Sequence, residues 1–569
     1  MNYYSDNKIL RHYLGHPLLK RIVEAKEQGY SQADKYNYAP ADFAEAVEGY
    51  EQVLELVGEL CAEYIAPNAM AVEEEGPCVE NGRVKYAPAT EQNLDLFRKA
   101  GLMGVSLPRC YGGLNFPMTV FTLIEDIVSR ADAAFGNLWA LQDCAETINS
   151  FGSDEQRERY LPRVCAGATM SMDLTEPDAG SDLQSVRLKA TYSEEDGCWY
   201  LDGVKRFITN GDSDIHLVLA RSEEGSVDGR GLSLFIVEKE CGGVHTRRLE
   251  NKMGIHGSPT CEIVFNRARA ELCGSRRMGL IKYVMSLMNG ARLGIATQSV
   301  GLAQASYNEA LEYARSRKQF GKEIINFPAV YDIVGTMKAR LDAARSLLYE
   351  TARSVDMSNI FNEIARERSL TPEERQESKL FAKKADALTP IVKGIASEIA
   401  NQNAYDAVQV HGGSGYMRDY LCERLYRDAR ITSIYEGTTQ LQVVAAIRYA
   451  TGGYYSQLLD EYMAQSVPEA LQPLRARIQS MCEKYNEALE RVQSFGDQEI
   501  IDFLARRIYE MASYCIMASL LLLDASTDEE LFLSSLNRFI AISEAIVAGH
   551  STYICNFVPE LINYFKQKQ

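Results

Sequence analysis

The chain has 569 residues, and its 46% hydrophobic and 24% charged content is typical of a globular protein with two to four domains. Its formal net charge of -18 argues against a nucleic-acid partner, because no excess of basic side chains is present to neutralise phosphates. The thirteen cysteines form no C-x-x-C pair, which argues against a zinc site or a disulfide framework and predicts a reducing, cytoplasmic environment.

The beginning of the chain, an expected N-terminal extension over 1–40, lacks the uninterrupted apolar core and the small-residue cleavage site of a signal peptide. The longest apolar run, CIMASLLLL at 515–523, is too short to cross a bilayer and is typical of a buried helix. We therefore expect a soluble protein without a transmembrane segment.

The hydrophobic pattern changes twice along the chain. Residues 41–165 are predicted to be mainly helical, because stretches such as DFAEAVEGYEQVLELVGELCAEYI repeat apolar residues every three or four positions. Residues 166–275 alternate with period two between Gly and Asp turns, as in IHLVLARS and LSLFIVEKE, and predict a β domain. Helical periodicity returns over 276–454 and continues in an additional helical domain, 455–569. The predicted fold is mainly α with an inserted β domain.

Two later helices have recognisable start signals. Thr371 precedes Pro372, and Glu374 stands where a capping box needs a carboxylate, so a helix is predicted to begin there. The stretch STDEEL predicts that the final helix begins with a second capping box, formed by Ser526 and Glu529.

Two stretches at the β domain carry side chains suited to a planar ligand. LTEPDAGSDLQS (174–185) strings together hydroxyls, carboxylates and a glycine, and KRFITNG (205–211) places Phe207 and Thr209 on a strand edge beside a turn. An aromatic face and a hydroxyl in these places could contact a flat ring and bond to it. An ordinary β-hairpin would contain the same residues.

Two stretches in the second helical region are also open to two interpretations. RSRKQFGK (315–322) is a basic helix end that either contacts a phosphate or is simply solvated. VQVHGGSGY (408–416) ends a helix with two glycines, which either cap it or admit a ligand close to the backbone. The chain has no G-x-G-x-x-G after a strand and no Walker loop, so a nucleotide cofactor would not be held in the Rossmann manner.

Taken together and in order, LTEPDAGSD, FITNG, RKQFG, QVHGGSGY and RDARITSIYEGTTQLQ closely resemble the acyl-CoA dehydrogenase family. The resemblance covers residues 41–450 and implies an N-terminal helical, a middle β and a C-terminal helical domain, here with an extra helical domain. It also implies non-covalently bound FAD, held between the β domain and the C-terminal helices. The implied reaction is oxidation of an acyl-CoA, as in fatty-acid β-oxidation, with electrons passing to an electron-transfer flavoprotein.

The resemblance implies flavin contacts in the β domain. Phe207 stands where the family usually has a Trp, which keeps the aromatic face and loses an N–H donor. Thr209 matches a hydroxyl that bonds near the flavin N5. Further contacts with the flavin and its surroundings are implied for Met172, Leu174, Thr175 and Ser181.

Other matched residues belong to the C-terminal helical domain and reach the FAD of a neighbouring subunit, so the resemblance implies at least a dimer. Pro328 stands where many relatives have a Gln, which removes one expected FAD contact. The residues that reach the neighbour's FAD are Arg317, Gln319, Phe320, Gln409, Gly412 and Gly413. Thr438 and Gln440 match contacts close to the dinucleotide, beyond the catalytic loop.

The stretch SIYEGTTQLQ (433–442) places one carboxylate, Glu436, on a turn before a helix. Removing a proton from Cα of a thioester needs a rigidly aimed base, and the resemblance implies that Glu436 is this base, with Gly437 permitting the sharp turn. The alternative is a Glu that only interacts with the helix dipole. Some relatives carry the base at the position of Ala291, which cannot remove a proton, so Glu436 has no obvious rival.

Substrate contacts are implied for Ser181 and for one helix. Arg292 matches a family arginine that lies by the catalytic loop, and its alternative is a surface arginine. Met288 and Asn289 match positions along the path of the acyl and pantetheine groups. No motif indicates which acyl group is bound.

The segment 455–569 lies outside the core shared by the family, and larger relatives with such an extension imply a homodimer rather than a tetramer. Its last 119 residues, 451–569, hold nine lysines and arginines against sixteen aspartates and glutamates, which disfavours anionic membranes and a non-catalytic, nucleic-acid-associated role. An acyl-CoA oxidase, with the same base but oxygen as electron acceptor, stays open as an alternative. A nitroalkane oxidase-like enzyme is disfavoured, because that branch uses Asp at the position of Glu436.

Overall fold

The protein separates into two compact units, Met1–Gly294 and Ile295–Gln569. The computed structural model describes residues 1–566, apart from the side chain of Phe565. The finer division into five segments that the sequence suggests stays a prediction.

The first unit begins with helices whose ends follow the capping rules. Asp42 accepts a hydrogen bond from the Glu45 amide at the start of α3, and Ser153 forms a capping box with Gln156 at the start of α9. A short hairpin, β1 (Cys78–Glu80) and β2 (Arg83–Lys85), interrupts the helices. The helices are α1 (Lys8–Leu14), α2 (Pro17–Lys26), α3 (Phe43–Leu60), α4 (Ala66–Glu75), α5 (Pro88–Lys99), α6 (Met118–Ala131), α7 (Ala133–Trp139), α8 (Ala145–Phe151) and α9 (Asp154–Cys165).

The β domain of this unit is a seven-stranded sheet whose pairings close a ring. Strand β6 pairs with β7, β7 with β9, β9 with β5, β5 with β4 and β4 with β6, while β3 joins β6 in parallel and β8 joins β9. The strands are β3 (Met170–Asp173), β4 (Lys189–Ser193), β5 (Cys198–Thr209), β6 (Ile215–Arg221), β7 (Leu232–Glu238), β8 (Val244–Leu249) and β9 (Thr260–Cys273). This confirms the predicted β domain inserted between helices.

The second unit is built from long helices. Helix α11 packs against α12 and α18, and α17 packs against α14, α16 and α18. A two-residue hairpin, β10 (Lys318–Gln319) and β11 (Lys322–Glu323), follows α10. The helices are α10 (Met285–Ser316, beginning in the first unit), α11 (Pro328–Glu367), α12 (Pro372–His411), α13 (Leu421–Thr432), α14 (Thr439–Thr451), α15 (Tyr454–Met463), α16 (Gln472–Ser494), α17 (Gln498–Thr527), α18 (Glu529–Cys555) and α19 (Glu560–Lys566).

One of the two predicted capping boxes is confirmed and the other is wrong. Thr371 and Glu374 form the reciprocal pair at the start of α12. Ser526 lies inside α17 instead, where its hydroxyl donates to the Leu522 carbonyl at 2.8 Å. The side chain of Asp528 caps α18, because it is the residue that directly precedes the first helical position.

In the described part of the chain, α17 and α18 are long and apolar enough to cross a membrane by length and composition. The apolar window of α17 is 78% buried inside the protein, as expected for a core helix, and that of α18 is 39% buried. Two tyrosines attach α15 and α17 to α12. The hydroxyl of Tyr455 on α15 donates to the Ala387 carbonyl at 2.8 Å, and that of Tyr509 on α17 donates to the Ile391 carbonyl at 3.0 Å. In this fold α17 is therefore a central helix of a bundle.

Candidate active site

The end of β5 carries a bulge that turns one aromatic side chain outward. Between the pairs Lys205–Ile263 and Ile208–Cys261, β5 contains one residue more than β9, and such bulges re-aim side chains. Phe207 lies in the bulge with φ 61° and its side chain is 53% exposed. A left-handed backbone at an aromatic residue is unfavourable, and conformations of this kind cluster at functional sites.

One face of the Phe207 ring is covered by its neighbour. The guanidinium of Arg206 lies 4.6 Å from the ring centroid and is itself held by Glu250 at 2.9 Å. Thr209 ends the strand opposite Thr260 and is half-buried. An apolar ring and a hydroxyl are therefore presented side by side at the strand end, as the sequence predicts.

The segment after β3 is attached to this strand end. The carbonyl of Thr175 accepts a hydrogen bond from the Arg206 amide at 2.9 Å. Leu174 is buried, while Met172 and Thr175 are half-buried. Ser181 is exposed beyond this segment. The structure thus joins Thr175 directly to Arg206, the neighbour of Phe207.

In the second unit, Glu436 lies in the turn between α13 and α14. Its φ is 53° and that of Gly437 is 91°. Thr438 caps α14 by accepting from the Leu441 amide at 3.4 Å. Two consecutive left-handed residues reverse the chain sharply, so the half-buried Glu436 side chain projects from a tight turn rather than from a helix.

Two side chains that sequence reasoning missed hold this turn. Lys393, fully buried on α12, donates from Nζ to the Gly437 carbonyl at 2.6 Å. Gln442, fully buried on α14, donates to the same carbonyl at 3.0 Å and to that of Glu436 at 3.4 Å. Their helical positions look like ordinary core positions, and only the charge of Lys393 at an apolar position could have pointed to them.

The hairpin β10–β11 presents a third left-handed residue. Phe320 has φ 50° and Gly321 φ 82°, the pattern of the type I′ turn that joins two antiparallel strands. The Phe320 side chain is 94% exposed, and Arg317 and Gln319 beside it are also exposed. An exposed aromatic ring on a rigid turn is suited to contact another molecule.

The glycines after α12 form a second exposed element of this unit. Gly412 has φ 61° and a Cβ there would meet no atom within 4 Å, so the glycine is required by conformation and not by space. Gln409 and Gly413 are exposed, and so is Gln440 at the start of α14. Behind them, the ring of His411 stacks on Tyr313 at 4.1 Å, and burial lowers the pKa of His411.

The first turns of α10 hold the remaining predicted residues. Arg292 donates to the Asn289 side chain at 3.1 Å, one turn away, and both are half-buried together with Met288. Two carboxyls that the sequence analysis did not single out approach this part of the helix. A Cβ on Gly294 would lie 3.2 Å from Glu125 Oε1, and one on Gly290 would lie 3.0 Å from Asp143 Oδ2.

Both carboxyls have raised pKa values. Burial and the neighbouring Asp143 hold the pKa of Glu125 well above its usual range. Burial, with a contribution from Glu146, raises the pKa of Asp143 to about 7. These two carboxyl groups of the first unit, which lie beside α10, therefore favour the neutral carboxylic acid form.

Comparison with known proteins accounts for this combination of domains and motifs. Four family models match in order: the acyl-CoA dehydrogenase N-terminal domain at 48–168, the middle domain at 171–268, the C-terminal domain at 281–448 and a further acyl-CoA dehydrogenase C-terminal model at 451–562. These domains and the relatives below are those of an oxidoreductase that acts on acyl-CoA. The chain belongs to the acyl-CoA dehydrogenase family, as its motifs led us to expect.

Individual relatives agree. The chain is 35% identical over 432 residues to 3-methylmercaptopropionyl-CoA dehydrogenase of Ruegeria pomeroyi, covering 70% of this chain and 71% of the relative. It is 35% identical over 389 residues to an acyl-CoA dehydrogenase of Bacillus subtilis, covering 65% and 95%. A solved acyl-CoA dehydrogenase from Bacillus anthracis, complexed with FAD, shares the fold with a TM-score of 0.74 at 24% identity, over 91% of this chain and 90% of that one.

The groups presented by this chain fit a flavin. The exposed ring of Phe207 offers an apolar face, and the half-buried Thr175 and Thr209 each offer a hydroxyl for a hydrogen bond. Exposed Arg317 offers a charge for a phosphate. These are the properties that an isoalloxazine ring and a dinucleotide require.

Proposed function

We propose that the chain oxidises an acyl-CoA thioester to the trans-2-enoyl-CoA, with FAD as cofactor and Glu436 as the base that removes the α-proton. The observation that carries this proposal is the turn at Glu436, whose left-handed φ of 53° is held by buried donors from two helices. Such a conformation persists only where the surroundings determine it, and this is typical of functional positions. Family membership supplies the type of reaction.

In this reaction the Cα–H bond breaks and its proton passes to a carboxylate oxygen of Glu436, while a double bond forms between Cα and Cβ. The chemistry that FAD supplies when bound is acceptance of the hydride from Cβ. The contribution of Glu436 depends on its position, because a displacement of about 1 Å can reduce a rate about 100-fold. Lys393 and Gln442 act by holding the main chain of the turn.

The proposal assigns FAD binding to two groups of residues. The bulge at Phe207 and the hydroxyl of Thr209 contact the flavin ring, and Arg317 contributes a charge to the dinucleotide. The other proposed contacts in the first unit are Met172, Leu174, Thr175 and Ser181. Those in the second unit are Gln319, Phe320, Gln409, Gly412, Gly413, Thr438 and Gln440.

Substrate binding is proposed for Ser181, Met288, Asn289 and Arg292. The Arg292–Asn289 hydrogen bond supports this assignment, because it orients both side chains on one stretch of α10. None of these four residues specifies which acyl group is bound. Both relatives described above are named as dehydrogenases of acyl-CoA thioesters.

The proposed assembly is a homodimer, and the proposed electron acceptor is an electron-transfer flavoprotein. The Phe320 turn and the glycines at 412–413 support the assembly, because they are exposed and would be available to a neighbouring subunit. A solved structure 29% identical over 70% of this chain, and covering 97% of its own, was determined in work on an electron-transferring flavoprotein of Acidaminococcus fermentans, and this supports the acceptor.

The proposal is tested by mixing the FAD-loaded protein with a panel of CoA thioesters without oxygen. At least one saturated acyl-CoA should bleach the flavin absorbance, and the matching enoyl-CoA should accumulate in equal amount. Slow reoxidation in air, made fast by an electron-transfer flavoprotein, is expected of a dehydrogenase. Rapid reoxidation with peroxide would move the chain to the oxidases, and a protein that binds no FAD would contradict the proposal as a whole.

A further inference from the structure

Strand β5 carries a lysine at an inward position of a buried sheet. Lys205 has no exposed surface, and it pairs with Ile263 on β9 among apolar neighbours. Burial lowers the pKa of its ammonium, an effect that the nearby carboxylate of Glu176 opposes. A charge in such a place is retained only with well-placed partners.

The partners of Lys205 all lie in the segment that follows β3. Its Nζ donates to the Leu174 carbonyl at 2.8 Å and to Glu176 Oε1 at 2.9 Å. The same carboxylate accepts from the amides of Leu188 at 2.9 Å and Arg187 at 2.7 Å. Lys205 therefore lies at the centre of a small network that ends on main-chain groups.

This network attaches a segment that lies beyond the end of β3. Strand β3 ends at Asp173, so residues 174–176 have left the strand ladder. Their links to β5 are the Thr175 carbonyl, which accepts from the Arg206 amide, and the ammonium of Lys205. The bulge at Phe207 is different, because strand pairs hold it on both sides.

We propose that Lys205 is a positioning residue for the flavin, which fixes the Leu174–Glu176 segment against the end of β5 so that both contact the same ring. The inference rests on the proposed function, since it takes Leu174, Thr175 and Phe207 as flavin contacts. It adds a residue that does not itself touch the flavin. Lys205 acts through the carbonyl of Leu174 and the carboxylate of Glu176.

The first unit contains a second buried ion pair that serves as a matched control. Arg109 and Glu27 are both almost fully buried, and they are joined by two hydrogen bonds of 2.6 and 2.9 Å. The pair links the end of α2 to the loop before α6, and its hydrogen bonds join residues other than the Leu174–Glu176 segment. If buried charges in this unit matter only for stability, Lys205→Met and Arg109→Met should act alike.

The test compares the full chain with Lys205→Met and Arg109→Met, using FAD itself as the probe. We expect both variants to unfold at lower denaturant concentration. Only Lys205→Met should raise the Kd for FAD at least tenfold and alter the visible circular dichroism of the bound flavin, because only it releases the flavin-facing segment. Equal FAD affinity and identical flavin spectra in the two variants would overturn the inference.

A second variant covers the case in which Lys205→Met does not fold. Glu176→Gln keeps an oxygen for Lys205 but loses the acceptor for the Arg187 amide. It should therefore weaken FAD binding less than Lys205→Met does, and change the flavin spectrum in the same direction as Lys205→Met. An unchanged spectrum and affinity in Glu176→Gln would then overturn the inference. If the unaltered protein binds no FAD, the proposed function fails instead, so the two failures can be told apart.

Discussion

The bulge at Phe207 and the turn at Glu436 each contain a residue with the same unfavourable backbone conformation, but in different surroundings. Phe207 has φ 61° and Glu436 has φ 53°, and such a conformation costs about 1–2 kcal/mol at a residue other than glycine. Each has a fully buried lysine nearby that donates to a main-chain carbonyl, Lys205 in the first case and Lys393 in the second.

The bulge at Phe207 and the turn at Glu436 differ in the contacts that hold them. Phe207 lies in a bulge between the strand pairs of Lys205 and Ile208, so the sheet fixes it through the main chain. Glu436 lies between two helices, and side chains of Lys393 and Gln442 bond to the carbonyls of its turn. A conformation held by the main chain survives most single substitutions, whereas one held by side chains does not. The position of the proposed base should therefore be the easier of the two to disturb.

The largest effect in this comparison is expected for Lys393→Met. The variant removes the charged donor to the Gly437 carbonyl, and a displaced turn should slow flavin reduction by acyl-CoA about 100-fold. The free energy of unfolding should fall by about 1.5–3 kcal/mol, the value of a hydrogen bond from a charged group. FAD affinity should change little. Stopped-flow absorbance and denaturant titration measure both effects.

The control is Lys379→Met on the same helix, where the lysine is exposed. It should leave the rate and the free energy of unfolding nearly unchanged. A Lys393→Met protein that reduces its flavin at the unaltered rate would show that the turn at Glu436 does not depend on its side-chain donors.

A smaller effect is expected for Gly437→Ala. Gly437 has φ 91°, so an alanine would be strained, and the free energy of unfolding should fall by about 1–2 kcal/mol. The rate of flavin reduction should fall about tenfold, because the turn relaxes toward other conformations. The matched variant Gly549→Ala lies within α18, where a Cβ would meet no atom within 4 Å. It should raise stability by about 0.5–1 kcal/mol.

The smallest effect is expected at the carboxyl of Asp143, a half-buried residue of the first unit. Its Oδ1 has no hydrogen-bond partner among the residues that the structure describes. Since its pKa is raised to about 7 by burial, the folded chain binds more protons than the unfolded chain between about pH 4 and pH 7. The contribution of Asp143 to stability therefore falls as the pH rises through this interval.

Asp143→Asn should remove this pH dependence. At pH 8 the variant should be more stable than the unaltered chain by at least about 1 kcal/mol, and at pH 4 the difference should nearly vanish. Denaturant titrations at several pH values measure this, with the exposed Asp460→Asn as control. A destabilised variant at pH 8 would mean that the Asp143 carboxylate has a favourable partner.

The sequence predicts the fold well because its periodicities are strong. Alternating residues in IHLVLARS and LSLFIVEKE became β6 and β7, and Thr371 with Glu374 caps α12. The start of α18 was missed by two residues, because Ser526 and Asp528 are both good caps and the helix before it continues to Thr527. Local patterns do not show which of two neighbouring capping residues lies inside α17 and which remains available to cap α18.

The candidate site is predictable only in part. Motifs select Phe207, Phe320 and Glu436, but no pattern in the sequence shows that all three have left-handed backbones. That property depends on contacts distant in the chain, such as Lys393, which lies 44 positions from the carbonyl it bonds. A lysine at an apolar position of a predicted strand or helix, such as Lys205 or Lys393, is a signal of this kind that a sequence offers.

The most direct test of the account is the rate of flavin reduction in Glu436→Gln. The variant keeps the shape of the side chain and removes the base, so FAD should stay bound. Anaerobic reduction of the flavin by acyl-CoA should slow by about 100- to 10,000-fold or more. Glu490→Gln, an exposed glutamate on α16, should reduce at the unaltered rate. If Glu436→Gln also reduces its flavin at that rate, another group removes the α-proton and the central claim is wrong.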